Sequence, residues 1–104
     1  MIDADALSRL PPGARLLNVA RGEIVDEAAL VESLRDGRIA GAYLDVFATE
    51  PLPSESPLWS LPNVIATPHN SAASRGNEAR QIEIFLENLA RFGRGETLEN
   101  EVRA

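Results

Sequence analysis

Arg21, Glu50 and His69 are the residues whose types and placing could do chemistry, and His69 is the only histidine among the 104 residues. Each follows closely on a short apolar run. Arg15-Leu16-Leu17-Asn18-Val19 leads into Ala20-Arg21-Gly22, residues 40–47 lead into Ala48-Thr49-Glu50-Pro51, and Asn63-Val64-Ile65-Ala66-Thr67 leads into Pro68-His69-Asn70. Runs of that length read as buried strands, and open α/β sheets bind and react with ligands just past their strand ends. An arginine there offers a planar fork of donors that grips a carboxylate in two places. A carboxylate beside a histidine favours the imidazolium and fixes the ring, which makes a proton donor near neutral pH. Together the three groups suit a carbonyl that stands next to a carboxylate.

Taken singly, each residue has an ordinary reading as well. Arg21 reads as a surface arginine balancing Glu23, Glu50 as a solvated loop acid, and His69 as a capping histidine at a strand end. Gly22 and the prolines read as geometric. Asp45 is harder to dismiss, because an acid inside an apolar run needs a partner. Metal binding is the weaker alternative, since one histidine, no cysteine and scattered acids make a poor transition-metal set.

The elements that must position these groups follow from local pattern. Residues 2–10 read as a short helix with Asp3 as N-cap and Leu7 with Leu10 as its apolar pair, stopped by Pro11-Pro12-Gly13. Asp26 looks like the next N-cap, Ala29, Leu30, Leu34 and Ile39 mark an apolar side, and Gly37 is the stop. Strand, helix, strand is the βαβ pattern, so the sheet is expected to be parallel. Residues 48–62 carry four prolines and no periodicity, and a loop that long inside a compact domain is usually functional. Within it, Ser56-Pro57-Leu58-Trp59 reads as one helical turn that tucks Leu58 and Trp59 against the core. From about residue 74 to 92, Ala79, Ile82, Phe85, Leu86, Leu89 and Phe92 recur at three and four residues, the width of a core-facing stripe, and Gly93 and Gly95 end that helix. The tail 96–104 reads as polar and loose.

The expected architecture is therefore α/β, about three parallel strands with flanking helices in one partial domain spanning 1–104, with no internal repeat and no clear boundary. Parallel sheets are normally covered on both faces, and so few helices cannot do that. One sheet edge should be bare and open to association. The chain reads as a half of something larger. A net charge of −6 argues against nucleic acid, which is bound through clustered basic residues. No apolar stretch approaches a membrane span, no leader pattern opens the sequence, and the lack of cysteine suits a cytoplasmic protein.

The runs Leu17-Asn18-Val19-Ala20-Arg21-Gly22-Glu23-Ile24-Val25-Asp26, Ala40-Gly41-Ala42-Tyr43-Leu44-Asp45-Val46-Phe47, Glu50-Pro51 and Thr67-Pro68-His69 closely resemble the D-isomer-specific 2-hydroxyacid dehydrogenases. The resemblance spans about residues 7–98, and the Glu50–Trp59 stretch is most similar to the glyoxylate/hydroxypyruvate reductase branch. It implies the second half of a Rossmann-like, three-layer dinucleotide-binding domain and hydride transfer between NAD or NADP and a small 2-oxo or 2-hydroxy acid, in an enzyme expected to be a homo-oligomer. It also implies that Arg21 binds the substrate carboxylate and carbonyl oxygen. His69 would be the general acid/base, and Glu50 its hydrogen-bonded acid. Asp45 would hold the nicotinamide carboxamide, with Asn18, Ala20 and Arg21 passing beside the nicotinamide. The family's Gly-rich phosphate loop is absent from this chain, as is its substrate domain. The isolated chain is accordingly expected to be inactive, and the alternative is a non-catalytic subdomain that self-associates through a bare sheet edge.

Overall fold

A computed structural model describes residues 1–102 and divides the chain into two compact units, Met1–Ser71 and Ala72–Ala104, where the sequence shows no boundary. The first unit begins with helix α1 (Ala4–Ser8), shorter than the 2–10 expected. Asp3 caps it as anticipated, its Oδ1 accepting from the Ala6 N–H at 2.9 Å. Ile2 stands outside the helix and pairs with Val25, its N–H donating to Ile24 O at 2.8 Å and its carbonyl accepting from Asp26 N–H at 2.9 Å. The chain start is thereby tied to the entry of the second helix.

Strand β1 (Arg15–Asn18), helix α2 (Glu27–Arg35) and strand β2 (Gly41–Leu44) form the βαβ unit, and β3 (Val64–Ala66) completes a sheet of order β1-β2-β3. All pairings are parallel. Helix α2 starts where Asp26 Oδ1 accepts from Ala29 N–H at 3.0 Å, and it stops before Gly37, which takes the left-handed φ of 71°. Asn63, just before β3, donates from Nδ2 to the Leu34 carbonyl at 3.1 Å and satisfies an acceptor at that helix end.

The core lies on one face of the sheet. Leu7, Leu30, Leu34, Ile39, Leu44, Phe47 and Leu58 are buried there, with Leu16, Val64 and Ala66 packed against them. The register sets Leu17 beside Tyr43 and Tyr43 beside Ile65 in a row on the other face. That row is open: Leu17 is 72% and Ile65 62% exposed. Within Met1–Ser71 the core fills one face of the sheet, while Leu17 and Ile65 on the outer strands stand exposed on the other and Tyr43 between them is half-buried. The 3-10 turn Pro57–Trp59 forms where expected, but only Leu58 enters the core. Trp59 is 57% exposed, and its indole N–H donates to the Pro53 carbonyl at 2.9 Å.

The second unit contains α3 (Asn77–Gly93), entered through Gly76 in the left-handed conformation rather than near Ser74. Gly93 is its last residue, and Gly95 just beyond takes φ 69°. Its stripe has the periodicity expected but not the burial: no residue of this helix is buried, and Phe92 is 73% accessible. The tail is less loose than its composition implies as far as Glu99, whose N–H and carbonyl both pair with the Asn88 side chain at 2.8 and 3.0 Å. Arg103 and Ala104 lie outside the described residues. No helix among the described residues is long and apolar enough to cross a membrane.

Candidate active site

Asn18 is the last residue of β1, and the other expected site residues, Ala20, Arg21, Asp45, Glu50 and His69, follow the C-terminal ends of parallel strands. Glu50 and His69 meet: Nδ1 of His69 lies 2.7 Å from Glu50 Oε2. The other carboxylate oxygen of Glu50 accepts from the Phe47 N–H at 3.0 Å, so the side chain folds back onto its own loop while reaching the imidazole. The bond with His69 is the main reason that the Glu50 carboxyl is held below its ordinary value, with the Phe47 N–H second; partial desolvation opposes both, and the charges of His69 and Arg21 add to the lowering.

Two further contacts fix the Glu50 loop. Glu27, at the first turn of α2, accepts from the Ala48 N–H at 3.1 Å. Gly22 passes so close beneath that a Cβ there would sit 1.9 Å from the Phe47 carbonyl oxygen. Gly22 is therefore demanded by a close approach of two backbones. Nothing in the local sequence of Glu27 or Gly22 announces either role, because both act on a loop more than twenty positions away.

Arg21 is exposed, and its Nη1 donates to the Ala20 carbonyl at 2.6 Å. Its loop is held from inside by Asn18, 4% exposed, which donates from Nδ2 to the Arg21 carbonyl at 2.9 Å and accepts from the Ala20 N–H at 3.1 Å. Arg21 thus stands near enough to Glu50 for its charge to act there, without lining the cleft described next.

Asp45 is fully buried. Its Oδ1 accepts from Thr67 Oγ1 at 2.5 Å and Asn70 N–H at 3.0 Å, and its Oδ2 accepts from Ser71 N–H at 2.8 Å. Burial alone would push this carboxyl up, but the hydrogen bonds from Thr67, Asn70 and Ser71 outweigh it and hold the group well below the usual carboxylate range. The partner that an acid in an apolar strand demands is therefore the loop bearing His69. Sequence reasoning saw the demand and missed Thr67, Asn70 and Ser71, which carry no motif of their own.

His69 and Glu50 open onto a cleft of about 650 Å³ whose other walls include Phe47, Leu52, Trp59 and Thr67. It is apolar but for the Glu50–His69 pair and Thr67, the usual composition of a small-molecule site. With Nδ1 engaged by the carboxylate, the ring's remaining nitrogen, Nε2, is the one left for a ligand.

Residues 1–71 match the model of the D-isomer specific 2-hydroxyacid dehydrogenase, NAD binding domain. The chain belongs to that family. Its relatives include glyoxylate/hydroxypyruvate reductase A of Salmonella paratyphi B, 45% identical over 98% of this chain and 32% of the relative. Glyoxylate reductase of Korarchaeum cryptofilum is likewise 45% identical, over 98% of this chain and 31% of its own length. Among solved structures, a D-isomer specific 2-hydroxyacid dehydrogenase from Xanthobacter autotrophicus in complex with NADPH and MES superposes with a TM-score of 0.83 at 48% identity, over 96% of this chain and 40% of that one. The NADPH-dependent glyoxylate/hydroxypyruvate reductase of Sinorhizobium meliloti, in complex with NADP and sulfate, gives 0.84 at 35% identity, over 97% and 33%. The chain thus spans about a third of the length of the curated relatives it matches. The family is the one its motifs resemble, and the parallel α/β fold agrees.

Proposed function

We propose that this chain carries the acid/base and carboxylate-binding residues of an NAD(P)-dependent reductase of small 2-oxo acids, glyoxylate or hydroxypyruvate among them, and that it is inactive alone. The single observation that supports this reading best is the 2.7 Å pair of His69 and Glu50 at the mouth of an apolar cleft. The names of the relatives support the substrate class. The lack of cysteine suits a cytoplasmic protein.

The residues present fit one end of a nicotinamide cofactor. Asn18, Ala20 and Arg21 border the exit of β1, where the nicotinamide ring would rest, whereas Asp45, expected to hold its carboxamide, lies buried with both oxygens engaged by Thr67, Asn70 and Ser71; no Gly-rich loop for the pyrophosphate occurs in this sequence. The nicotinamide, when bound, supplies or accepts the hydride. The chain's own residues do the rest. Arg21 binds the substrate carboxylate through its fork and orients the neighbouring carbonyl. His69, with Nδ1–H on Glu50, gives its Nε2 proton to the carbonyl oxygen as the 2-oxo acid is reduced, and takes it back from the hydroxyl in the reverse direction. Glu50 fixes the ring's orientation and balances its charge when both nitrogens are protonated.

The purified chain given NADH or NADPH with glyoxylate or hydroxypyruvate should show no turnover. A chimera in which it replaces the matching third of the Salmonella relative should reduce glyoxylate. A folded chimera without activity would overturn the reading, as would clear turnover by the chain alone.

A second reading is favoured by the bare sheet. The exposed row of Leu17 and Ile65, with the β1 edge beside it, would make the chain a subdomain that self-associates. Light scattering tests this, and a stable monomer across concentration would count against it.

A further inference from the structure

We propose that Asp45 is a positioning residue for His69: a buried carboxylate that holds the histidine's backbone in a conformation it would not keep unaided, so that the imidazole meets Glu50. The inference rests on the acid/base role given to His69 and assigns a reason for its placement. His69 has φ 49°, in the left-handed region that a side-chain-bearing residue rarely adopts. On its N-terminal side, the His69 N–H donates to the Thr67 carbonyl at 3.1 Å and closes a tight turn about Pro68. On its C-terminal side, the successive N–H groups of Asn70 and Ser71 point at the two oxygens of one carboxylate. Consecutive N–H groups next to a left-handed residue form a concavity for an anion, and here the anion is Asp45.

The carboxylate also holds the near side of the turn. Thr67 Oγ1 donates to Asp45 Oδ1, so residues on both sides of His69 are fastened to a single buried group. Asp45 in turn is anchored in the sheet, its N–H donating to the Asn18 carbonyl at 3.0 Å. Asn18 holds the Arg21 loop through its own side chain. The exits of the three strands are therefore linked from within, through two buried polar residues that the cleft does not expose. An unsatisfied buried carboxylate would be costly, and a neutral amide in its place would set donors against donors.

NMR on the intact chain tests this, because the single histidine makes the imidazole signals unambiguous. In the wild type, scalar couplings across the hydrogen bonds should connect the Asn70 and Ser71 amides to the Asp45 carboxyl. A well-resolved spectrum without them would overturn the proposal with no variant needed. In Asp45→Asn, the Asn70 and Ser71 amides should exchange about tenfold faster or more, as expected when hydrogen bonds to a charged group are lost. The His69 backbone coupling constant should leave the value for positive φ, and the Nδ1 proton should lose its protection. The methyl signals of Leu7 and Leu30 should stay in place, which separates a shifted loop from an unfolded chain. Thr67→Val keeps the carboxylate and both backbone bonds and should retain the His69 turn. A folded Asp45→Asn with an unchanged His69 coupling constant and a protected Nδ1 proton would refute the role. These readouts involve no substrate, so the clamp can stand while the reductase reading falls, or the reverse.

Discussion

Glu50 and His69 meet at 2.7 Å across a sequence separation of 19, each brought in by the exit of a different parallel strand. The contact gives a concrete pH dependence. The Glu50 carboxyl is held down first by His69 and then by the Phe47 N–H, so its folded value lies below its unfolded one. Its contribution to stability is then fully present above the unfolded value, about 4.3, and is lost as pH falls through the lowered folded value. Glu50→Gln should flatten that acid limb in an unfolding titration. The Glu50 side chain is 35% exposed, so the effect should be small and shrink with added salt. An acid limb identical in both proteins would remove this linkage.

Asp45 obeys the same sign at lower pH. Its depressed carboxyl contributes fully above the unfolded aspartate value, about 3.9, and the contribution is lost progressively as pH falls from there through its lower folded value. Asp45→Asn should therefore lower the urea midpoint at neutral pH and lose part of the stability gradient below about pH 4. Equal midpoints for the two proteins across that range would contradict it.

Gly22→Ala should destabilise the chain by about 1–3 kcal/mol, the usual cost of forcing a methyl group into occupied space. The cause is specific, since the new Cβ would fall 1.9 Å from the Phe47 oxygen. The Phe47 and Glu50 amide signals should shift with it. A variant as stable as the wild type with those signals unmoved would show that the two backbones are not locked together.

Leu7 is the one buried residue of α1 and is fully enclosed. Leu7→Ala should cost about 2–5 kcal/mol. Thermal unfolding followed by circular dichroism checks it, and a loss well under that range would mean the site collapses around the smaller side chain.

How much of this was legible depends on whether the cause was local. Asp3, Asp26 and Gly37 announce helix ends because each acts on backbone within a few residues, and all three do so in the structure. Asp45 announced a need but not its answer, since Thr67, Asn70 and Ser71 lie beyond any periodic signal. Trp59 went the other way: its size argued for the core, but it stays 57% exposed with its indole N–H donating to the Pro53 carbonyl within its own loop. The α3 stripe shows the limit of periodicity, which states what a helix can bury and not what is there to cover it.

The most direct test of the account is glyoxylate reduction by the chimera carrying His69→Gln, beside the same chimera with Arg21→Ala. Loss of a positioned acid/base typically lowers the rate by about 100- to 10,000-fold, and kcat/KM should fall by that order in the first variant and comparably in the second. A folded His69→Gln chimera that turns over as fast as its parent would contradict the claim that this imidazole moves the proton.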